Sequence, residues 1–210
     1  MKKIIALLAV LIFVTACTPL NNLSLNEIIE RNLRANIELS NQTRSGYKYY
    51  LPRGLTILRI KDFNEVAIGS NITYYMYFDL ISYFNNVRRE YKINPDAYFS
   101  MPIIHNDGFG YLEINQVGKH FFIEIMYNYA KIEMMVEEHQ IRKAVQNAIT
   151  ILTTVRYNDN VLASLLDRNV LRSNKIEFNI FDTVRNVEST YLTSVDTEEE
   201  ERSLDTDLIR

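Results

Sequence analysis

The chain has 210 residues, of which 47% are hydrophobic, and this composition supports one packed domain and excludes a fibrous or fully disordered protein. Fourteen Tyr and ten Phe beside only six Gly and four Pro predict a substantial content of β-sheet. The formal net charge of −3 argues against nucleic acid as a partner.

The first residues have the pattern of an export signal. Lys2 and Lys3 precede an uninterrupted apolar run, residues 4–14, which is too short to span a bilayer comfortably. The run leads into Val14-Thr15-Ala16-Cys17, which resembles the lipobox of bacterial lipoproteins: an aliphatic residue, two small residues and then cysteine. The resemblance implies that residues 1–16 are a signal peptide and that the Cys17 thiol receives a diacylglycerol group. An ordinary signal peptide with an incidental cysteine is the alternative.

The same resemblance implies that the protein is exported and held on the outer face of the cytoplasmic membrane. Pro19 and two Asn within residues 18–23 indicate a short tether, so residues 17–23 are expected to form a lipidated tether. Two acyl chains hold a protein at a bilayer without help from a basic patch. Removal of Lys2 and Lys3 takes the formal charge from −3 to −5, which argues against anionic lipid as a main partner. Cys17 is the only cysteine, so no intramolecular disulfide can form.

A helix is predicted directly after the tether. Ser24 is followed three residues later by Glu27, the pattern of a capping box, and apolar residues recur at helical spacing to about Leu39. Aromatic and β-branched residues then predict strands over residues 47–51, 55–60 and 65–68. Residues 72–84 predict a buried strand in their first half, and a helix is possible after Asp79.

Residues 85–100 are polar and predict a connection on the surface. Alternating apolar residues separated by turn residues then predict three successive antiparallel strands, at residues 111–115, 120–125 and 131–136. This arrangement indicates a sheet built from neighbouring hairpins.

The helical period returns over residues 137–155, where Ile141, Ala144, Val145, Ala148, Leu152 and Val155 form one apolar stripe. The Asn158-Asp159-Asn160 segment predicts the end of this helix, and residues 161–167 predict another helix. One more strand is predicted at residues 175–181, which places a single domain at residues 24–182. The acidic residues of 183–210 predict a disordered tail.

The order of these elements predicts an α+β fold, in which an antiparallel sheet packs against an N-terminal helix and a long C-terminal helix. Strands that feed the helix at residues 137–155 resemble the arrangement in small envelope lipoproteins of the PsbP-like group. The resemblance covers about half of the chain, and it implies a fold and no functional residue.

Three polar residues suggest a metal or acid/base site: His105, Asp107 and His120. The chain has three His in all and no H-x-x-x-H spacing, so a turn at His105-Asn106-Asp107 is the preferred interpretation and no metal is predicted. The Gly108-Phe109-Gly110 segment leads into a strand rather than a helix, which argues against a phosphate loop. No cofactor is implied.

Asp62, Glu113 and Glu124 are candidates for a carboxylate pair of the kind used in glycoside hydrolysis. Carboxylates in strands more often face solvent, and Glu113 and Glu124 fit that alternation, so the solvent-facing interpretation is preferred. Tyrosine clusters at residues 47–50 and 74–77 are typical of either a binding surface for sugars and proteins or a sheet core, and the core is favoured.

The anchor and the absence of recognised catalytic motifs lead to the expected function. We expect a non-enzymatic envelope lipoprotein that acts as an interaction or assembly module for another envelope protein. The alternative is a lipoprotein that captures a small molecule or glycan for a transporter or sensor. An enzyme acting on the cell wall, with Asp107, Glu113 and His120 as the candidate residues, ranks third.

Overall fold

The structure, a computed structural model, describes residues 20–88 and 90–167. Within these residues every strand pair is antiparallel and the helices pack against the sheet, which confirms the predicted α+β class. The helices are α1 (Leu25–Ala35), α2 (Leu80–Phe84), α3 (Ile141–Thr153) and α4 (Asp159–Asp167), with short 3-10 turns at Leu20–Asn22 and Glu138–Gln140. The strands are β1 (Gln42–Thr43), β2 (Tyr47–Tyr49), β3 (Thr56–Lys61), β4 (Asn64–Gly69), β5 (Ile72–Phe78), β6 (Phe99–His105), β7 (Gly108–Val117), β8 (His120–Tyr127), β9 (Ala130–Val136) and β10 (Arg156–Tyr157).

Seven strands form the main sheet in the order β3-β4-β5-β9-β8-β7-β6, and the small sheet has the order β1-β2-β10. Helix α3 packs on β8 and β9, and α1 packs on α3. The predicted apolar stripe is buried in this core, from Ile141 at the start of α3 to Val155 just after its end. Among the described residues, no helix is both long and apolar enough to cross a membrane.

Helix α1 begins as predicted and ends earlier than predicted. The Ser24 hydroxyl accepts a hydrogen bond from the Glu27 amide, and the Glu27 carboxylate accepts one from the Ser24 amide, so the capping box is present. The expected end at Leu39 is wrong. Asn36 has φ +41°, and this left-handed conformation, which asparagine tolerates, ends the helix after Ala35.

The hairpins of β7, β8 and β9 are confirmed, and so are the three shorter strands β2 to β4. A helix after Asp79 is also confirmed, since the Asp79 carboxylate accepts a hydrogen bond from the Ser82 amide at the start of α2. Strand β6 was not predicted, because Pro102 and polar neighbours obscure its pattern. Proline is tolerated there because β6 is an edge strand.

Two further details differ from the predictions near the C-terminal helices. The long helix predicted at residues 137–155 is a 3-10 turn followed by α3, and β10 comes next. Asp159 and Asn160 do not end that helix; they form the first turn of α4, whose Val161 amide donates to the Asn158 side chain. The signal peptide, Cys17, the strand predicted at residues 175–181 and the acidic tail lie outside the described residues.

Candidate functional site

The three residues that the sequence suggests for acid/base chemistry, His105, Asp107 and His120, do not lie close together in the structure. His105 ends β6 and Asp107 lies in the turn before β7, whereas His120 begins β8, next to the opposite end of β7. At about 3.4 Å per residue, the length of β7 separates the two histidines by roughly 30 Å. In the parts of the chain that the structure describes, no group of three His, Cys, Asp or Glu side chains could hold a metal ion.

Glu113 and Glu124 do not face solvent, so that expectation is wrong. They lie directly opposite each other on β7 and β8, and each is only 2% exposed. Alternation predicts a solvent face only for a sheet that is covered on one side, and the central strands of this sheet are buried on both faces. Asp62 is exposed at the β3–β4 turn, several strands away from the pair.

Each of the two buried carboxylates accepts a hydrogen bond from at least one other side chain. Glu113 accepts from the Tyr91 hydroxyl and from the side-chain amides of Asn94 (3.1 Å) and Asn115 (2.9 Å). Glu124 accepts from the Tyr111 hydroxyl, and the Tyr91 ring stacks on the Tyr111 ring at 4.4 Å. These contacts give the glutamates a structural role in joining the segment before β6 to the sheet.

The tyrosine clusters at residues 47–50 and 74–77 belong mainly to the core, so the interpretation favoured from the sequence is confirmed. Tyr47, Tyr49, Tyr74 and Tyr77 are buried, whereas Tyr50 and Tyr75 are half-buried. The hydroxyls of Tyr47 and Tyr49 donate to Glu65 at 2.8 and 2.7 Å, and Arg44 donates to the same carboxylate at 2.8 Å. Burial and the adjacent Glu65 carboxylate raise the pKa of both tyrosines, so they remain neutral donors.

A cleft of about 670 Å³ lies where two hairpin turns meet the ends of α1 and α3, and we call it the tyrosine cleft. Its lining residues are Asn32, Leu33, Arg34, Asn36, Tyr83, Arg88, His105, Asn106, Asp107, Gly108, Phe109, Tyr127, Asn128, Tyr129, Thr153, Val155, Arg156 and Tyr157. It therefore includes the predicted turn at His105-Asn106-Asp107, but neither Glu113 nor His120. Its size lies within the range of small-molecule sites.

Aromatic contacts connect the walls of the tyrosine cleft. The ring of Tyr83 stacks on that of Tyr157 with centroids 4.0 Å apart. Tyr129 meets Tyr83 edge-on at 5.6 Å and Phe109 edge-on at 4.9 Å. The guanidinium of Arg88 lies 5.1 Å from the centre of the Phe109 ring. Four segments that are distant in the sequence are thus held together by ring packing.

The β8–β9 turn carries an unusual backbone conformation at the cleft. Asn128 and Tyr129 have φ +47° and +65°, the pattern of a two-residue type I′ turn, whose second position normally holds glycine. A residue with a side chain pays about 1–2 kcal/mol in this conformation. Tyr129 is nevertheless buried; its hydroxyl donates to Asn86 at 3.2 Å and its carbonyl accepts from the Asp79 amide at 2.8 Å. Surrounding contacts therefore hold the turn in place.

A glycine allows Tyr127 to reach the cleft. A Cβ at Gly108 would lie 2.0 Å from the Tyr127 hydroxyl oxygen, so a larger residue would displace that ring. Burial raises the pKa of Tyr127, and it raises that of Tyr157 well above its ordinary value. Burial, together with the hydrogen bond to Asp159, raises the pKa of Tyr83 to about 12. These hydroxyls are neutral hydrogen-bonding groups at physiological pH.

Charged side chains at the cleft are mainly cationic. Arg34, Arg88 and Arg156 line it with one carboxylate, that of Asp107. Arg34 pairs with Glu30 at 2.9 Å on the exposed face of α1. Arg156 donates through Nη1 to the carbonyls of Thr153 and Val155, so its guanidinium is oriented by backbone. The cleft thus combines aromatic rings, amides and oriented cations, which suits binding of a small polar ligand.

The sequence did not identify the aromatic residues that line the cleft, because the tyrosine clusters at residues 47–50 and 74–77 are the more conspicuous pattern. One local signal was present: the Asn128-Tyr129 pair between two predicted strands demands a left-handed tyrosine if the turn has two residues. No model of a protein family, no curated protein and no solved structure matches this chain.

Proposed function

We propose that the protein is an exported lipoprotein of the bacterial envelope, anchored through Cys17, and that it binds a small molecule or glycan in the tyrosine cleft. Of the two non-enzymatic functions considered from the sequence, the ligand-binding one is favoured by a specific observation. That observation is a cleft of about 670 Å³ lined by aromatic rings and hydrogen-bonding side chains.

The rigidity of the cleft supports binding. Its rings contact one another at centroid distances of 4.0 to 5.6 Å, and the turn at Tyr129 is fixed by hydrogen bonds on both sides of the residue. A site that is already ordered loses little conformational entropy when a ligand enters. The strain at Tyr129 is of the kind that concentrates at binding sites.

The placement of the polar residues favours binding over turnover. Asp107 lies at the cleft, Glu113 is enclosed by Tyr91, Asn94 and Asn115, and His120 lies at the far end of β8. A general acid and base must reach the same substrate. The three residues named for an envelope hydrolase therefore have no common site, and we propose no reaction.

A thermal-shift screen of the lipidated protein in detergent, against wall fragments and small glycans, tests this function. A ligand at a hundred times its dissociation constant adds about 2.7 kcal/mol of stability. Phe109→Ala and Arg88→Ala change the cleft rim and should weaken binding of any hit, whereas Arg53→Ala, at an exposed turn, should not. Hits that are equally affected by all three substitutions, or by none, would contradict binding in the cleft.

Interaction with another envelope protein is the second candidate function, and the edge of the main sheet favours it. Strand β3 lies at that edge, where Leu58 and Ile60 are 60% and 48% exposed. An edge strand with exposed apolar side chains can accept a strand from a partner. A photo-crosslinker at position 58 should capture one envelope protein in cells, and the same crosslinker at the exposed Lys143 should not. Equal labelling from both positions would argue against this surface.

A further inference from the structure

A second cavity, of about 650 Å³, borders the tyrosine cleft, and both are lined by Arg156 and Tyr157. We call it the β10 cavity, because both residues of β10 line it. Its other walls are the β1–β2 turn and the first turn of α4. Arg44 and Lys48 line it in addition to Arg156.

Two of these cations face each other across a pair of strands. Lys48 of β2 and Arg156 of β10 are direct partners in the antiparallel register, and both are exposed. Residues in such a pair have Cβ atoms about 5 Å apart, and like charges in this position are destabilising. Within residues 20–88 and 90–167 neither side chain forms an ion pair with a carboxylate. Stability alone does not favour two adjacent, uncompensated cations.

The other two charged residues of the β10 cavity, Arg44 and Asp159, each have a partner. Arg44 is neutralised by the buried Glu65 carboxylate at 2.8 Å. Asp159, the carboxylate of the cavity, accepts the Tyr83 hydroxyl at 2.9 Å. Lys48 and Arg156 thus exceed Asp159 by one positive charge, in a chain whose overall charge is negative.

The guanidinium of Arg156 is held in an orientation that leaves it able to donate to a further hydrogen-bond acceptor. Its Nη1 donates to the carbonyls of Thr153 at 2.8 Å and Val155 at 2.9 Å, which fixes the plane of the guanidinium. Its Nη2 and Nε donate to no acceptor in the part of the chain described by the structure. A fixed guanidinium with free donors is suited to a phosphate or carboxylate group.

We propose that Lys48 and Arg156 bind an anionic group, phosphate or carboxylate, of the ligand whose uncharged part lies in the tyrosine cleft. This inference rests on the proposed function and narrows its ligand to an acidic or phosphorylated sugar or glycan fragment. Arg156 and Tyr157 border both cavities, so a single ligand can contact the rings on one side and the cations on the other.

Inorganic phosphate is the probe, and the full chain in detergent is compared in phosphate and in chloride at equal ionic strength. Phosphate should raise the melting temperature of the wild type by more than that of Lys48→Gln or Arg156→Gln, because phosphate also stabilises folded proteins without binding to a site. In chloride alone, Lys48→Gln should melt higher than the wild type, because the repulsion between the two cations is removed. In phosphate the order should reverse, with the wild type melting higher than Lys48→Gln. This reversal distinguishes two cations that bind an anion from two cations that only contribute to the stability of the fold.

Lys143→Gln removes an exposed cation from α3, outside both cavities, and serves as the matched control. It should keep the response of the wild type to phosphate. Two results would overturn the inference. One is a wild type that melts at the same temperature in phosphate and in chloride; the other is a Lys48→Gln variant that responds to phosphate as strongly as the wild type. The proposed function would survive either result if the cleft variants still weaken binding of a neutral ligand.

A lipid headgroup offers the same phosphate chemistry, so its contribution is measured separately. The Cys17→Ala chain is sedimented with vesicles of phosphatidylglycerol and with vesicles of phosphatidylcholine. We expect no Lys48-dependent sedimentation with either. Sedimentation with phosphatidylglycerol that is lost in the Lys48→Gln background would assign the pair to the membrane and overturn the glycan assignment. For a phosphorylated sugar from the screen, Lys48→Gln should weaken binding about tenfold.

Discussion

The ring of Tyr129 packs edge-on against that of Tyr83 with centroids 5.6 Å apart, while the backbone of Tyr129 has φ +65°. The same residue therefore stabilises the tyrosine cleft by packing and strains the turn that carries it. Substitutions can separate these two effects, because glycine and alanine both remove the ring and only glycine removes the strain.

Tyr129→Gly and Tyr129→Ala should both destabilise the protein, by about 3 kcal/mol or more, since each removes a buried ring. The glycine variant should be the more stable of the two by about 1 kcal/mol. Urea unfolding measures both. At Tyr127, which is buried at the end of β8 without a positive φ, the order should be reversed, because glycine weakens a strand. An alanine variant at position 129 that is at least as stable as the glycine variant would show that Tyr129 is not strained.

Glu65→Ala should lower the free energy of unfolding by about 3–5 kcal/mol, because it leaves the largely buried Arg44 without its carboxylate. It also removes the acceptor of the Tyr47 and Tyr49 hydroxyls. Chemical denaturation provides the measurement. Glu30→Ala, which breaks an exposed pair with Arg34, should change stability by less than about 1 kcal/mol. A similar loss in the two variants would contradict the structural role of Glu65.

Glu113→Ala tests whether this glutamate is a buried hydrogen-bond acceptor. We expect a loss of about 3 kcal/mol, because the Tyr91 hydroxyl and the Asn94 and Asn115 amides lose their shared partner. Glu38→Ala removes an exposed carboxylate and should change stability by about 0.5 kcal/mol at most. If Glu113→Ala proved as neutral as Glu38→Ala, Glu113 would face solvent after all.

Stability should fall at alkaline pH because of the tyrosines. The folded protein raises the pKa of Tyr83 from 10.0 to about 12 through burial and the Asp159 carboxylate. This contribution is complete below pH 10, where Tyr83 is protonated in both states, and it is lost as pH rises toward 12 because only the unfolded chain releases the proton. Tyr83→Phe should therefore reduce the decline in unfolding free energy across that interval. A decline of the same steepness in Tyr83→Phe would contradict the raised pKa.

Local patterns made much of the fold predictable. The Ser24 and Glu27 pair identifies the start of α1, and the alternating residues of β7 to β9 identify two hairpins, since both signals depend on neighbours in sequence. The buried state of Glu113 could not be predicted, because it depends on Tyr91 and Asn94 from a segment that is distant in sequence.

The tyrosine cleft could not be predicted from the sequence either, because it also depends on contacts between segments that are distant in sequence. Tyr83, Phe109, Tyr129 and Tyr157 come from four separate segments, and none of them has a local pattern that distinguishes it from a core residue. The turn at His105-Asn106-Asp107 was recognised, yet its position beside these rings follows only from the pairing of β6, β7 and β8.

Native mass spectrometry of the full chain, purified in detergent from its own membranes, detects the lipid and the bound ligand in one experiment. We predict a covalent diacylglyceryl mass on Cys17 that is absent from Cys17→Ala, together with a noncovalent ligand of small mass that is lost from Phe109→Ala. A chain that carries neither the lipid nor a ligand dependent on Phe109 would contradict the account of an anchored binding protein.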